Sequence, residues 1–250
     1  MRIIISPAKK MVREVDLLEP KNVPIFIEEA SSLLTYMKGL TYIQCKELFK
    51  CNDKIAQLNY DRFQNMDLAK QLTPAVLSYE GIQYQYMAPQ VMEQDALDYI
   101  EEHLRIISGF YGILRPLDGI VPYRLEMQSK LINHTNKTLY EFWGEKLANQ
   151  LKEETDCILN LASKEYSKGI TKYLKDSVKV ITCQFGELMD GKVKEKSPYV
   201  KMARGEMVRY LAENAINDME GVKRFDRLGY GYASEYSSDD TFVFLQKNQK

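Results

Sequence analysis

Apolar and polar positions change period several times along this chain, and each change marks an element. Arg2 to Ser6 is a β-branched apolar run stopped by Pro7, which predicts a buried strand feeding the loop Ser6-Pro7-Ala8-Lys9-Lys10. Pro20 and Pro24 keep the next stretch extended, and helical spacing then predicts helices over about 25–38, 41–50 and 53–64, with Thr41 and Asn52 as N-caps. Ala75 to Tyr79, closed by Gly81, reads as a strand. Leu97, Ile100, Leu104 and Ile107 predict a helix over 94–108 that Gly109 ends. Beyond it come a helix over 139–151, strands at 157–161 and 178–185, a helix over 202–216, and short strands near 225–232 and 241–246.

Between these elements, "GFYGILRPLDGIVPYRLEM" at 109–127 obeys neither period. Its glycines permit backbone angles other residues avoid and its prolines fix φ, so it predicts tightly specified turns carrying Arg115 and Arg124. A planar, always-charged guanidinium on a rigid loop suits a phosphate or carboxylate, but equally ties down its own loop.

No internal repeat or low-complexity linker divides the 250 residues, so the expectation is one mixed α/β domain over 1–250, a mixed sheet surrounded by helices. The composition, 45% hydrophobic and 28% charged, is that of an ordinary globular chain. The opening MRIIISPAKK is too short an apolar run for a signal peptide and no window reaches membrane-spanning length, which predicts a cytoplasmic protein with no membrane partner. Cys45, Cys51, Cys157 and Cys183 lack C-x-x-C spacing and read as reduced structural thiols. The only histidines, His103 and His134, stand far apart, which disfavours zinc and a histidine-based triad. No phosphate-loop or dinucleotide fingerprint occurs, and Gly229-Tyr230-Gly231-Tyr232 is a faint echo of one. No cofactor or metal is expected. A formal net charge of −1 argues against coating nucleic acid through overall charge and leaves a local basic groove open.

Three places carry candidate chemistry. Lys9 and Lys10 follow a strand directly, where loops are held rigidly. Ser163, in Asn160-Leu161-Ala162-Ser163-Lys164-Glu165-Tyr166, reads as an N-cap whose junction offers free donors to an anion, although capping alone explains it. Arg204 shares a helical face with Val208 and Leu211, so it either emerges at a groove or pairs with a buried acid, and Gly205 beside it admits a close neighbour. Lys201 and Arg209 flank it by about one turn. Trp143 reads as core.

SPAK at 6–9, NDKIA at 52–56, HLRIISGFYGILRPLDGIVPYRLEM at 103–127, LYEFWG at 139–144, NLASKEY at 160–166 and KMARGEMVRY at 201–210 closely resemble, in order, the motifs of the YaaA peroxide-stress protein family. Position 52 is Asn where that family often has Ser, and both cap helices. The resemblance implies a cytosolic bacterial protein of the hydrogen-peroxide response that limits free iron and protects DNA. It also implies an unusual single-domain mixed fold, a helix-hairpin-helix element, and binding of duplex or structured DNA in a basic cleft, by a monomer or a weakly self-associating chain. Two segments fit the helix-hairpin-helix: 94–118, through the Gly112 turn, and 41–64, with Lys54 opening its second helix. The expected nucleic-acid contacts are Lys9, Lys10, Lys54, Arg105, Gly112, Arg115, Arg124, Lys164, Lys201, Arg204 and Arg209, with no catalytic residue. The alternative is an enzyme acting on a nucleotide or nucleic acid with Lys9, Arg115, Glu165 and Arg204 round the same cleft. An iron store is disfavoured by the scarcity of histidine and of paired acidic motifs.

Overall fold

Ile3, Ile4 and Ile5 are wholly buried in strand β1 (Arg2–Ile5). A strand apolar on both faces belongs inside a parallel sheet covered by helices, and β1 has a parallel partner on each side. The computed structural model describes residues 1–13, 17–174 and 177–246. The sheet's remaining strands are β2 (Leu104–Ser108), β3 (Gly112–Leu114), β4 (Cys157–Asn160), β5 (Lys179–Met189), β6 (Lys192–Lys194), β7 (Tyr230–Tyr232) and β8 (Thr241–Gln246). They run in the order β7-β8-β5-β4-β1-β2-β3, with β6 paired to the end of β5. The five central strands are parallel, while β3, β6 and β7 pair antiparallel. The principal helices are α1 (Ile27–Lys38), α2 (Tyr42–Phe49), α3 (Asp53–Asn65), α4 (Ile82–Met87), α5 (Gln94–His103), α6 (Lys146–Glu154), α7 (Lys164–Thr171) and α8 (Ser197–Glu213). One buried cluster runs from Ile3 to Phe244. Burial pushes the Cys45 thiol up to about 11 and the Cys183 thiol higher still. Among the described residues no helix is long and apolar enough to cross a membrane.

From β1 the chain builds β2 on one side and later β4, β5 and β8 on the other. The carboxyl ends of β1 and β4 therefore flank the point where strand order reverses, which is where open α/β sheets bind ligands.

The expected caps form. Thr41 and Gln44 make a reciprocal capping box, and the Asn52 side chain accepts from the Ile55 N–H. Elsewhere the elements differ from the sequence reading. The helix expected over 94–108 stops at His103, and Leu104–Ser108 is the buried strand β2. Ile106 and Ile107 gain parallel and antiparallel partners there that local spacing does not reveal. Ala75–Ser78 is one helical turn between the two-residue bridges Thr73–Pro74 and Tyr79–Glu80. The helix over 139–151 breaks at Gly144, whose φ of 50° splits it into Leu139–Trp143 and α6. Helix α8 begins earlier than read, with Pro198 in its first turn, and ends at Glu213.

The 94–118 segment holds no helix-hairpin-helix. Gly112 opens a strand of a β-hairpin, residues 109–114 are buried, and a Cβ on Gly112 would lie 2.8 Å from the Trp143 ring. Its backbone cannot reach a phosphate, so the Gly112 contact is withdrawn. The pair α2 and α3, joined through Lys50 in a left-handed conformation, remains.

Candidate functional site

Ser6, where β1 ends, accepts the Ser163 N–H at 2.8 Å and donates to the Ser163 hydroxyl at 3.2 Å, fastening the first loop to the one that leaves β4. Ser163 occupies the N-cap position of α7 but its side chain makes no capping bond; it faces Ser6 instead. Asn160 holds the same loop in shape, accepting from the Ala162 N–H and donating to Thr182 on β5. Helix α4 closes the group from above, because the Tyr84 hydroxyl donates to the Ser6 carbonyl at 3.0 Å.

The irregular stretch 109–127 supplies charge to this edge. It folds back on itself so closely that a Cβ on Gly109 would lie 2.4 Å from the Leu125 carbonyl, and Trp143 Nε1 donates to the Gly109 carbonyl. Arg124 and Glu126 are thereby fixed. Glu126 takes Lys9 Nζ on one oxygen at 2.8 Å and Arg124 Nη2 on the other at 2.9 Å. The carboxylate of Glu165, the second residue of α7, accepts among the described residues a single long bond, from the Gln128 N–H at 3.4 Å. Burial raises its pKa, the Gln128 bond and Lys9 lower it, and Glu126 raises it further, with a net upward shift. Burial also drives the Tyr166 and Tyr84 phenols far up, so both stay protonated.

Helix α8 lies against α4 at Gly205, where a Cβ would sit 2.0 Å from the Gln83 carbonyl. The neighbouring Arg204 makes no hydrogen bond or ion pair among the described residues, and its Nε is buried. Burial lowers its pKa, opposed by Glu195 and Cys183. Among the described residues three buried side-chain atoms lack a partner: Gln83 Nε2, Arg124 Nε and Arg204 Nε. All three are N–H donors. A buried donor without an acceptor is costly, which sets these three atoms apart from the satisfied polar groups around them.

The expected contacts divide accordingly. Lys9, Arg124 and Arg204 belong to this edge, exposed Lys164 opens α7 next to Ser163, and exposed Lys201 stands one turn before Arg204. Arg105 and Arg115 do not join them. Arg105 is buried at the opposite end of the strands, 2.7 Å from Glu154, which also pairs with Arg2. It is corrected to a structural ion pair. Arg115 follows β3 toward that same far end, and its guanidinium bonds buried Asp118 at 3.0 Å and the Val23 carbonyl at 3.1 Å. Lys10 pairs with Glu80 and Arg209 with Glu213. Lys54 is exposed on α3. A single groove lined by all the expected cations is therefore not formed. Glu126 and Gln83 were missed: the spacing Arg124-x-Glu126 was a signal for the first, while nothing local marks Gln83. Among the described residues no three His, Cys, Asp or Glu side chains gather to hold a metal ion.

The family model described as peroxide stress protein YaaA matches residues 1–236, which take in every segment of this edge. A UPF0246 protein of Lachnoclostridium phytofermentans is 57% identical over 246 residues, covering 98% of this chain and 96% of its own. UPF0246 proteins of Desulfitobacterium hafniense and Pediococcus pentosaceus are 55% and 52% identical over 246 residues, each covering 98% of both chains. Matched over nearly its whole length at such identity, the chain belongs to the YaaA family of peroxide stress proteins.

Proposed function

We propose that this chain serves the peroxide response by binding DNA through its phosphates at the carboxyl edge of the sheet. The observation that carries the reading is Arg204, half-buried with its Nε enclosed and without an acceptor among the described residues, together with the unpartnered Nε of Arg124 and Nε2 of Gln83. A phosphate supplies several acceptor oxygens and the negative charge that suits an unpaired guanidinium. Exposed Lys9, Lys164 and Lys201 add the longer-ranged attraction that a net charge of −1 does not provide. The α2–α3 turn, with Lys54 beside it, supplies the helix-hairpin-helix contact in this reading. Phosphate contacts carry no base information, so affinity depends little on sequence. A protein held on the duplex shields it from iron-dependent oxidation.

Duplex binding followed against salt tests this. About four phosphate contacts give a slope near −3.6 in log affinity against log salt, or a loss of roughly a hundredfold between about 50 and 200 mM. Tight binding indifferent to salt contradicts it.

One observation favours a second reading, an enzyme acting on a nucleotide in the same crevice. Glu165 is half-buried with a raised pKa beside Glu126 and Lys9, as a general acid requires. This reading expects nucleotide turnover that Glu165→Gln abolishes while duplex affinity stays within a few-fold. A wild-type protein that leaves nucleotides intact removes it.

A further inference from the structure

Two residues before Arg124, Pro122 lines a different cleft, of about 570 Å³, none of whose walls belongs to the carboxyl edge. Arg13, Arg62 and Lys70 face one carboxylate there, Asp67. Asp67 is already committed, since it accepts the Ala69 N–H at 2.9 Å and pairs with Lys70 at 2.9 Å, and these two contacts hold its pKa low. The two arginines are left over. Arg13 donates to the neutral Gln71 side chain at 2.9 Å. Arg62 donates to Asn59 Oδ1 at 3.3 Å and to the Met11 carbonyl at 3.4 Å, both near the limit for a hydrogen bond. Neither forms an ion pair among the described residues. Burial lowers the Arg62 pKa with no opposing carboxylate. Met66, Val121 and Pro122 give the cleft an apolar wall.

From this we infer that the cleft is a second anion site that takes the phosphate of a nucleotide, either free or at the end of a strand. Arg13 and Arg62 converge on the phosphate, which provides the charge that Asn59, Gln71 and a backbone carbonyl cannot. The sugar or base lies against Met66, Val121 and Pro122. The volume is in the range of small-molecule sites.

The full chain is titrated calorimetrically with adenosine 5′-monophosphate, inorganic phosphate and a 5′-phosphorylated oligonucleotide, using wild type, Arg13→Gln, Arg62→Gln and Arg204→Met. The nucleotide binds at least about tenfold more tightly than inorganic phosphate, and each cleft variant weakens it by roughly 10–100-fold, the range for a hydrogen bond to a charged group. Arg204→Met leaves the loss of nucleotide affinity caused by Arg13→Gln and Arg62→Gln unchanged, so the site stands or falls apart from duplex binding at the carboxyl edge. Where Arg62→Gln loses its fold, exposed Arg13→Gln carries the test. Oligonucleotide affinity that Arg13→Gln lowers as much as it lowers that of the free nucleotide assigns the site to strand ends, and an effect of Arg13→Gln on the free nucleotide alone assigns it to the metabolite. Folded cleft variants that bind the nucleotide as wild type does, or equal affinity for nucleotide and inorganic phosphate, overturn the inference.

Discussion

Arg115→Ala should destabilise the protein by about 3–5 kcal/mol and leave duplex DNA affinity unchanged. Asp118 has no exposed side-chain surface, and its two oxygens are taken by the Arg115 backbone N–H and guanidinium at 2.8 and 3.0 Å. Removing the guanidinium leaves a carboxylate buried without its countercharge, which is the expensive way to break an ion pair. At this chain length the melting midpoint falls by about 10 °C. The loss depends on pH. Burial already raises the Asp118 pKa to about 6, despite its bonds with Arg115, against about 3.9 in an unfolded chain. A raised acid contributes stability fully below the unfolded value and loses it as pH climbs through the folded one. Without Arg115 the folded value rises further, so the variant escapes part of its penalty at pH 5 by protonating and shows it in full at pH 8. Thermal melts at the two values read the difference. Equal midpoints for variant and wild type at pH 8 would show that the pair does not hold the loop.

Arg204→Met should do the reverse, keeping or raising stability while weakening DNA binding. The Arg204 Nε is buried with no acceptor among the described residues, and Glu195 and Cys183 only partly offset the desolvation, so an apolar side chain of similar length removes a cost rather than a contact. The same change removes the donor most in need of an acceptor, and affinity for duplex falls roughly 10–100-fold. A structural arginine loses stability on replacement and a phosphate-binding one loses affinity, so a melt and a binding curve separate the two.

Where information was local, the chain was legible before its fold. Three consecutive isoleucines marked the central strand, and Thr41 and Asn52 announced their helices because caps act over three residues. Leu97, Ile100, Leu104 and Ile107 misled because helical spacing continues into a strand whose partners lie about a hundred residues away in β1. The arginines show the same divide. A guanidinium on a turn fits a phosphate or a neighbouring carboxylate equally well, and the buried Asp118 and Glu154 that claim Arg115 and Arg105 are partners only once the sheet exists. The carboxyl edge was half legible. Its segments could be singled out one at a time, but their meeting depends on the reversal of strand order between β1 and β4.

The account rests on the carboxyl edge as the place where phosphate is held. Its most direct test is the affinity of folded Arg204→Met for duplex DNA at near-physiological salt, measured beside wild type and Arg115→Ala at a pH where all three remain folded. The account predicts that Arg204→Met binds roughly 10–100-fold more weakly, with a shallower salt slope, while Arg115→Ala binds as wild type does. Arg204→Met binding as tightly as wild type would contradict it.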